Sequence, residues 1–325
     1  MAHAVMIDQY GGPDVLQWKE IPVSAPGPGE ALVRQTAVGV NFIDVYHRRG
    51  LYPLPSLPAG IGSEAAGRVE TVGPGVTDVA VGDRIAYAGG PTGAYCDARV
   101  LPAHRLVKLP DGISDSQAAA MMLKGMTAEY LLRRAFTVKP GDTILFHAAA
   151  GGVGTIACQW AKQLGATVIG TVGTRNKAAI ASAHGCDHVI VTGEEDFVAR
   201  VREITRGEGV PVVYDSVGKD TFMRSLDCLK PRGMIVSFGQ SSGMIPPLDI
   251  TILSSKGSLF LTRPSLMHYV AKREELSACA AALFDAVLHD GVKIEIGQTY
   301  SLQDAAKAHA DLEARKTTGS TVLIP

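Results

Sequence analysis

The chain has 325 residues, of which 46% are hydrophobic and 19% are charged, and its formal net charge is −1. This composition is typical of a globular protein with a large core, and the length suffices for one large domain or two ordinary ones. A near-neutral charge provides no long-range attraction to nucleic acid or to an anionic membrane surface, so neither is a favoured partner. The sequence has no apolar run approaching ~18 residues and no basic, apolar leader, so we expect neither a membrane span nor a signal peptide.

Cysteine usage predicts the cellular compartment. The five cysteines are Cys96, Cys158, Cys186, Cys228 and Cys279, an odd number that is widely spaced in sequence. This spacing argues against a disulfide framework and fits a reducing, cytoplasmic location.

Residues 1–125 form a predicted β-rich region. Short apolar runs, including "ALVRQTAVGV", "AGRVETVG" and "RIAYAG", are separated by Gly- and Pro-rich clusters such as "APGPGE" and "VGPGV". Short strands divided by turn signals in this way are typical of a small twisted barrel or sandwich.

From about residue 126 the pattern changes to an alternation of strands and helices. Apolar runs predict strands at 143–146, 167–172, 188–191, 212–216 and 234–238, and helical patterns fall at 153–164, 176–183, 195–204 and 221–228. Buried strands that alternate with helices predict parallel βαβ units in a doubly wound sheet. After residue 265 we expect a long amphipathic helix, one more helix and a closing strand.

The first strand–helix connection of this region reads "HAAAGGVG" at residues 147–154. The dinucleotide fingerprint has small residues at three positions, which are Ala149, Gly151 and Gly154 here, with Gly152 as an additional glycine. Small residues let the backbone approach a pyrophosphate, and the helix start directs N–H groups and its positive dipole end toward the anion. The alternative is a glycine-rich connection without a ligand.

The end of the second strand indicates which dinucleotide binds. NAD-binding domains normally place an acidic residue there for the ribose 2′-hydroxyl. This chain has Gly173 and Thr174 instead, followed by Arg175 and Lys177. Two cations and a hydroxyl would hold a 2′-phosphate, so the sequence predicts NADP(H). The alternative is that both cations merely occupy a helix start, where the helix dipole disfavours them.

Several long segments carry a family resemblance. They are "VGVNFIDVYHRRGLYP", "GIGSEAAGRVETVGPGV", "AAAMMLKGMTAEYLL", "VVYDSVGKDTFMRSLDCLKPRGMIVSFGQSSG" and "LTRPSL", beside the loop and "GTVGTRNK". With these segments the chain resembles, over nearly its full length, the zinc-free medium-chain dehydrogenases/reductases, and more closely the NADPH:quinone oxidoreductases related to zeta-crystallin. The resemblance implies an α/β protein with a GroES-like catalytic domain (1–125 and 266–325) and a Rossmann NADP-binding domain (126–265). It also implies a cleft between the domains and a homodimer.

The residues that bind zinc in related enzymes are replaced in this chain. Zinc-dependent members of the superfamily carry Gly-His-Glu where this chain has Gly62, Ser63 and Glu64, and the cysteine-rich lobe that binds structural zinc is absent. A catalytic zinc site needs about three protein ligands, so we predict no metal. The segment "HGCDH" at 184–188 brings four potential ligands together, but it straddles a helix end and a strand start, and we interpret it as a solvated turn.

The resemblance also implies the catalytic residues. It places Asn41, Asp44 and Tyr46 beside the nicotinamide end of the cofactor and Tyr52 near the substrate opening. Asn and Tyr donors would stabilise the negative charge that develops on a quinone oxygen. Two plainer roles stay open, since Asn41 and Asp44 could cap or turn the chain and the tyrosines could simply pack half-buried.

The other predicted cofactor contacts come from the loop, the strand ends and the returning chain. Ligands of doubly wound sheets bind outside the carboxyl ends of the strands, which supply Ser216, Phe238 and Gly239. The resemblance adds Tyr130, which could equally belong to the core, and two arginines. The complete predicted set is Asn41, Tyr46, Tyr130, Ala150, Gly151, Gly152, Val153, Gly173, Thr174, Arg175, Lys177, Thr192, Ser216, Phe238, Gly239, Ser241, Ser242, Arg263 and Arg315. At Thr192 the subfamily often has Tyr, so an aromatic wall near the adenosine end is missing.

The sequence therefore predicts a metal-free enzyme that reduces quinones with NADPH by hydride transfer. One alternative is the same chemistry on the activated C=C bonds of enals or enones. Another is an NADPH-binding protein with a crystallin-like or RNA-binding role. The run 234–238 and the segment "KGSLFLTRP" are the predicted sheet edge of a homodimer.

Overall fold

The computed structural model describes residues 1–325, which divide into two compact units. The first consists of Met1–Met126, Val270–Leu288 and Ile294–Pro325, and the second of Thr127–Tyr269 and His289–Lys293. In the sequence analysis the domain boundaries fall at residues 126 and 266, within a few residues of the ends of the long segments Met1–Met126 and Thr127–Tyr269.

The amino-terminal part of the first unit is mostly strand. Its elements are β1 (Ala2–Ile7), β2 (Gln17–Ile21), β3 (Glu30–Val40), α1 (Phe42–Arg48), β4 (Ala59–Gly60), β5 (Glu64–Val72), β6 (Arg84–Ala88), β7 (Ala98–Pro102), β8 (Val107–Lys108) and α2 (Asp115–Tyr130). The predicted apolar runs correspond to β3, β5 and β6, and α1 follows β3 directly, where the sequence left open that Asn41 and Asp44 cap or turn the chain.

The second unit alternates strands and helices. Its elements are β9 (Thr143–Phe146), α3 (Gly152–Gln163), β10 (Thr167–Val172), α4 (Arg175–Ala183), β11 (His188–Val191), α5 (Phe197–Ile204), β12 (Val210–Asp215), α6 (Phe222–Ser225), β13 (Leu229–Ser237), α7 (Thr251–Ser255), β14 (Phe260–Thr262) and α8 (Leu266–Tyr269). The strands form one six-stranded parallel sheet in the order β11-β10-β9-β12-β13-β14, so the predicted doubly wound sheet is confirmed.

The carboxyl-terminal segment completes the first unit. It supplies α9 (Arg273–Leu288), β15 (Ile296–Ser301), α10 (Ala305–Glu313) and β16 (Ser320–Ile324). Strand β16 pairs antiparallel with β3, so both ends of the chain build one seven-stranded sheet in the order β15-β16-β3-β5-β6-β8, with β7 also on β3. A smaller sheet has the order β2-β1-β4. None of the helices has the length and apolar character needed to cross a bilayer.

The core of the second unit explains why its strands read as continuous apolar runs. Leu145, Ile169, Ile190, Val213 and Ile235 come from five neighbouring strands and have no exposed surface. In a strand that is covered by helices on both faces, successive side chains point to opposite faces and are buried on either one. Each such side chain contributes about 1.5–3 kcal/mol when it is withdrawn from water.

Two predicted elements differ from the structure. The run 234–238 is not a sheet edge, because β13 pairs with β12 on one side and β14 on the other, which leaves β14 at the edge. The helix predicted at 195–204 begins two residues later, at Phe197. The Asp196 carboxylate accepts hydrogen bonds from the Val198 and Ala199 N–H groups at 2.9 and 3.2 Å, which makes Asp196 the N-cap.

Candidate functional site

The glycine-rich loop between β9 and α3 is tightly folded. Ala148 adopts a left-handed conformation with φ 55°, and the Gly151 N–H donates to the Ala148 carbonyl at 2.9 Å. A Cβ at Gly154 would lie 2.5 Å from the Ala148 oxygen and 2.6 Å from the Ala149 oxygen. Glycine is therefore required at Gly154 because the helix start packs directly against the loop carbonyls.

Helix α3 begins without a side-chain cap. Its N-cap, Gly151, has extended φ and ψ, and no side chain accepts from the first turn. The N–H groups of Gly152, Val153 and Gly154 therefore have no acceptor within the helix. Gly151, Gly152 and Val153 are only half-buried, while Ala150 is buried, so this end of the helix offers donors and a positive dipole to an anion.

His147 supports the loop from below, a role that sequence reasoning missed. The ring is fully buried, with Nδ1 2.8 Å from the Thr171 hydroxyl and Nε2 2.9 Å from the Ser225 hydroxyl. Burial lowers the pKa of His147, so the ring is neutral, with one donor and one acceptor nitrogen for these two partners. The imidazole thereby ties the loop to the end of β10 and to α6.

The residues after β10 form an exposed, cationic stretch. Gly173, Thr174 and Arg175 are exposed and Lys177 is half-buried. The structure adds a carboxylate that the sequence did not reveal, because Arg175 Nε donates to Glu194 Oε1 at 3.2 Å. With side-chain exposures of 80% and 43%, this pair is screened by solvent and contributes little to stability, so a bound anion can replace it.

Thr192 lies close to this stretch, directly after β11. Its hydroxyl donates to the Val172 carbonyl at 3.2 Å and its N–H donates to the same oxygen at 2.9 Å. The residue is exposed and anchors the turn, so it offers an open surface where the subfamily often has an aromatic ring.

The carboxyl ends of β12 and β13 bring five predicted residues together. The Ser241 N–H donates to the Ser216 carbonyl at 3.1 Å, and a Cβ at Gly239 would lie 2.7 Å from that oxygen. Arg263 Nη1 donates to the Gly239 carbonyl at 2.8 Å. The Ser242 hydroxyl donates to the Val217 carbonyl at 2.8 Å, so this wall is held by its own main chain.

Phe238, Tyr130 and Arg315 are the three remaining predicted contacts. Phe238 packs against Phe146 with ring centroids 5.7 Å apart. Tyr130 is only 2% exposed and stacks on Tyr269 at 4.5 Å, the packing role that the sequence left open. Arg315 belongs to the first unit, after α10, with φ 58°.

In the first unit, helix α1 groups the predicted catalytic residues. Asn41 is its N-cap and forms a capping box with Asp44, whose Oδ2 accepts from the Asn41 N–H at 2.9 Å. Tyr46 follows on the same helix, and its ring meets Tyr52 edge-on at 5.3 Å. The capping role left open for Asn41 and Asp44 is therefore realised, and Asp44 itself has no exposed surface.

A chain of polar side chains converges on the Asp44 carboxylate. The Ser63 hydroxyl donates to Oδ1 at 2.6 Å, and the Tyr95 hydroxyl donates to Oδ2 at 3.0 Å. Behind Tyr95, its oxygen lies 2.9 Å from His309 Nε2, and His309 Nδ1 lies 3.0 Å from Arg48 Nη1. Burial raises the pKa of Asp44 to about 6, while burial and the Arg48 charge lower the pKa of His309 to about 3.

A second buried carboxylate, that of Glu64, orients Asn41. Oε1 accepts from Asn41 Nδ2 at 2.8 Å and from Lys124 Nζ at 2.7 Å, and Oε2 accepts from the Leu123 N–H at 2.6 Å. The Glu64 and Lys124 side chains are 0% and 7% exposed. Removing either partner of such a pair typically costs ~3–5 kcal/mol, because the other charge is left buried alone.

The donor set at Ser63 does not fit zinc. Three protein ligands from His, Cys or carboxylate are required, and no group of three such side chains is arranged to hold a metal ion anywhere in residues 1–325. Here the Asp44 oxygens accept from Ser63, Tyr95 and a main-chain N–H, and Glu64 is engaged by Lys124. Each oxygen of the two carboxylates thus already accepts at least one hydrogen bond from the protein.

Two family models match the chain. Residues 27–111 match the alcohol dehydrogenase GroES-like domain, and residues 152–285 match the domain described as zinc-binding dehydrogenase. These matches confirm the predicted pairing of a GroES-like β-rich domain with a Rossmann domain. Fold and site thus define a medium-chain dehydrogenase/reductase, whose zinc ligands are replaced in this chain.

Similar proteins narrow the assignment. Quinone oxidoreductase of Pseudomonas aeruginosa is 54% identical over 325 residues and covers all of both chains. The crystal structure of Escherichia coli quinone oxidoreductase complexed with NADPH is 51% identical, with a TM-score of 0.98 over all of both chains. 2-Haloacrylate reductase of a Burkholderia species is 49% identical and covers 100% of this chain and 99% of its own. The chain belongs to the zinc-free quinone oxidoreductase family.

The close packing at Gly154 predicts a stability effect. We expect Gly154→Ala to lower the free energy of unfolding by about 1–3 kcal/mol, because its Cβ must displace two loop carbonyls. Gly173→Ala is the control, since a Cβ there meets nothing within 4 Å. Urea unfolding measures both, and a Gly154→Ala protein as stable as the unsubstituted chain would contradict this interpretation.

The two shifted pKa values predict opposing pH effects on stability. Folded Asp44 holds its proton more tightly than the unfolded chain, so its contribution is lost as pH rises from 3.8 through about 6. Folded His309 resists protonation, so its contribution is lost as pH falls from 6.5 toward about 3. Between pH 4 and 6 the two slopes cancel.

The substitution Asp44→Asn removes the contribution of Asp44 to the pH dependence of the unfolding free energy. The unfolding free energy of this variant should rise by about 1.4 kcal/mol more per pH unit between pH 4 and 6 than that of the unsubstituted chain. Denaturant titrations at several pH values measure the difference. Parallel stability profiles would show that Asp44 does not titrate as its burial implies.

Proposed function

We propose that this protein reduces quinones with NADPH as hydride donor. The observation that carries the proposal is the pairing of an uncapped, tightly packed helix start at the phosphate loop with a cationic stretch after the next strand. The quinone oxidoreductases at 51–54% identity, one of them complexed with NADPH, support it.

The residues present fit NADPH. The N–H groups at Gly152 and Val153 would hold the pyrophosphate, on a loop whose tight packing against the helix start requires glycine at Gly154. Arg175 and Lys177, with the Thr174 hydroxyl, would hold the 2′-phosphate. The wall formed by Ser216, Gly239, Ser241, Ser242 and Arg263 would hold the nicotinamide half, as strand ends do in such sheets.

When bound, NADPH supplies a hydride, and the protein's own part is to orient the acceptor and stabilise its oxygen. Tyr46 and Tyr52 have phenol hydroxyls suited to donate to a quinone oxygen as negative charge develops. Asn41 has two amide N–H bonds, one of which is used by Glu64. Asp44, fully buried, acts as a positioning residue that holds the start of α1.

A second activity is reduction of an activated C=C bond. The 49% identical 2-haloacrylate reductase favours this candidate, because its acceptor is an alkene next to a carboxylate. Both reactions add a hydride and then a proton, so the same cofactor geometry serves both.

Turnover separates these activities. We expect NADPH oxidation with 1,4-benzoquinone and 9,10-phenanthrenequinone to be faster than with an enone or a haloacrylate, and NADH to be a poor donor. Turnover confined to the alkenes would replace the quinone assignment with the second activity. Tight NADPH binding without turnover of any acceptor would favour a binding role.

The cofactor preference predicts a charge effect. Arg175→Ala and Lys177→Ala should each weaken NADPH binding by about 10- to 100-fold, the loss of one charge-assisted contact, while NADH binding changes little. Arg200→Ala is a matched control, because Arg200 is also a partly exposed arginine paired with glutamates. Fluorescence titration with both cofactors measures the effect. Equal losses for NADPH and NADH would refute the 2′-phosphate assignment.

A homodimer and a cytoplasmic location belong to the same proposal. Strand β14 is the open edge of the parallel sheet, with Phe260 57% and Leu261 40% exposed. An apolar open edge is a template for strand pairing, and pairing of two copies about a two-fold axis would cover it. The cytoplasmic location is supported by five buried cysteines, all with free thiols.

A charge on the edge strand tests the dimer. Leu261→Lys should convert a dimer into monomers in sedimentation experiments, since a buried, unpaired cation at the pairing edge is unfavourable. Val81→Lys serves as control, because Val81 is 64% exposed in the other unit. A monomeric unsubstituted chain, or a dimer that survives Leu261→Lys, would refute this edge as the interface.

A further inference from the structure

The hydrogen bonds that connect Arg48, His309 and Tyr95 to Asp44 all run in one direction, toward Asp44. A guanidinium only donates, so the Arg48 Nη1 contact makes His309 Nδ1 an acceptor. The ring is neutral, because its pKa is lowered to about 3, and it therefore carries its hydrogen on Nε2 and donates to the Tyr95 oxygen. The Tyr95 O–H is then left to donate to Asp44 Oδ2.

This direction closes every route for an Asp44 proton except one. The Asn41 N–H at Oδ2 cannot take up a proton, and burial and Asp44 raise the pKa of Tyr95 well above its usual value. Behind Tyr95, the accepting nitrogen of His309 is covered by Arg48. Only Ser63, 2.6 Å from Oδ1, can exchange a proton with the carboxyl.

The Ser63 hydroxyl has two states that depend on Asp44. When Asp44 is ionised, the Ser63 O–H is directed to Oδ1 and the hydroxyl offers only lone pairs to other groups. When Oδ1 carries a proton, it donates to the Ser63 oxygen, and the Ser63 O–H is released to donate elsewhere. The exposed surface of this pair belongs to Ser63, at 7%, while Asp44 has none.

The groups around Asp44 shift the pKa of its carboxyl in opposite directions. Burial and the neighbouring Glu64 raise its pKa, whereas hydrogen bonds from Ser63, Asn41 and Tyr95 lower it, with a result of about 6. Glu64 is itself paired with Lys124, and the Arg48 charge is paired with Glu313 at 2.7 Å. The groups in direct contact with the Asp44 oxygens are therefore neutral donors, and no cation contacts them.

We propose that Ser63 donates a proton to the oxygen of the reduced substrate and that Asp44 beneath it stores and replaces that proton. The inference rests on the proposed function. Hydride addition to a quinone leaves an oxyanion. An O–H bond forms as the oxyanion takes the Ser63 proton, and Ser63 takes the proton of Asp44 Oδ1. Asp44 remains as a carboxylate with three hydrogen bonds, and water reprotonates it through Ser63 after the product leaves.

Acceptors whose products differ in acidity test this donor. Protonation assists most when the product is a weak acid, so the kcat/KM ratio of unsubstituted enzyme to Ser63→Ala should be near 1 for tetrachlorobenzoquinone. It should grow to about 10- to 100-fold for tetramethylbenzoquinone, within the range of general acid catalysis. Ser63→Thr should restore the rate. Ser320→Ala is the control, because it also removes a buried hydroxyl, one that donates to the Ala120 carbonyl and not to a carboxylate.

Infrared spectroscopy adds a readout that does not depend on turnover. The protonated carboxyl band of Asp44, identified by its loss in Asp44→Asn, should titrate to a higher pKa in Ser63→Ala, because one hydrogen bond that lowers it is removed. A rate ratio that is constant across acceptors, or a carboxyl band unmoved by Ser63→Ala, would overturn the Ser63 assignment alone. Failure of the unsubstituted enzyme to reduce any quinone would instead overturn the proposed function, and this inference with it.

Discussion

The guanidinium of Arg48, which can only donate hydrogen bonds, contacts the buried imidazole of His309. This contact sets the direction of the hydrogen bonds that lead to Asp44. It fixes which nitrogen of His309 carries hydrogen, which in turn directs the Tyr95 hydroxyl to Asp44. Asp44 then accepts on every side, from the start of α1 and from Ser63. One contact between residues far apart in sequence thereby sets the direction of the hydrogen bonds that reach the start of α1 and Ser63.

Hydrogen bonds within the protein stabilise the buried polar groups around Ser63, at the position where zinc-dependent relatives have a metal ligand. Two carboxylates are buried close to Ser63, but Lys124 neutralises Glu64 and neutral donors surround Asp44. Burial of charge is tolerated because each oxygen is hydrogen-bonded. Where zinc-dependent relatives have a metal-binding imidazole, Ser63 donates its hydroxyl hydrogen to the Asp44 carboxylate.

Local sequence patterns predicted much of this structure, whereas contacts between residues far apart in the sequence could not be predicted. The glycine-rich loop between β9 and α3 was predictable because strand, small residues and helix are adjacent in sequence. The Asn41–Asp44 cap was predictable because its partners are three residues apart. The Arg48–His309 contact spans 261 residues, and no periodicity reveals it. Glu194 likewise reaches Arg175 only because β10 and β11 are neighbours, so its carboxylate was missed where the sequence showed only cations.

The position of the hydrogen on His309 decides whether the hydrogen bonds run from Arg48 toward Asp44. Nitrogen-15 NMR of the imidazole, assigned through a His309→Gln variant, reports which ring nitrogen is protonated. We expect a neutral ring with hydrogen on Nε2 and none on Nδ1 at every pH from 5 to 8. A protonated ring in this range, or hydrogen on Nδ1, would contradict the one-way hydrogen bonding toward Asp44 and the proton-holding role derived from it.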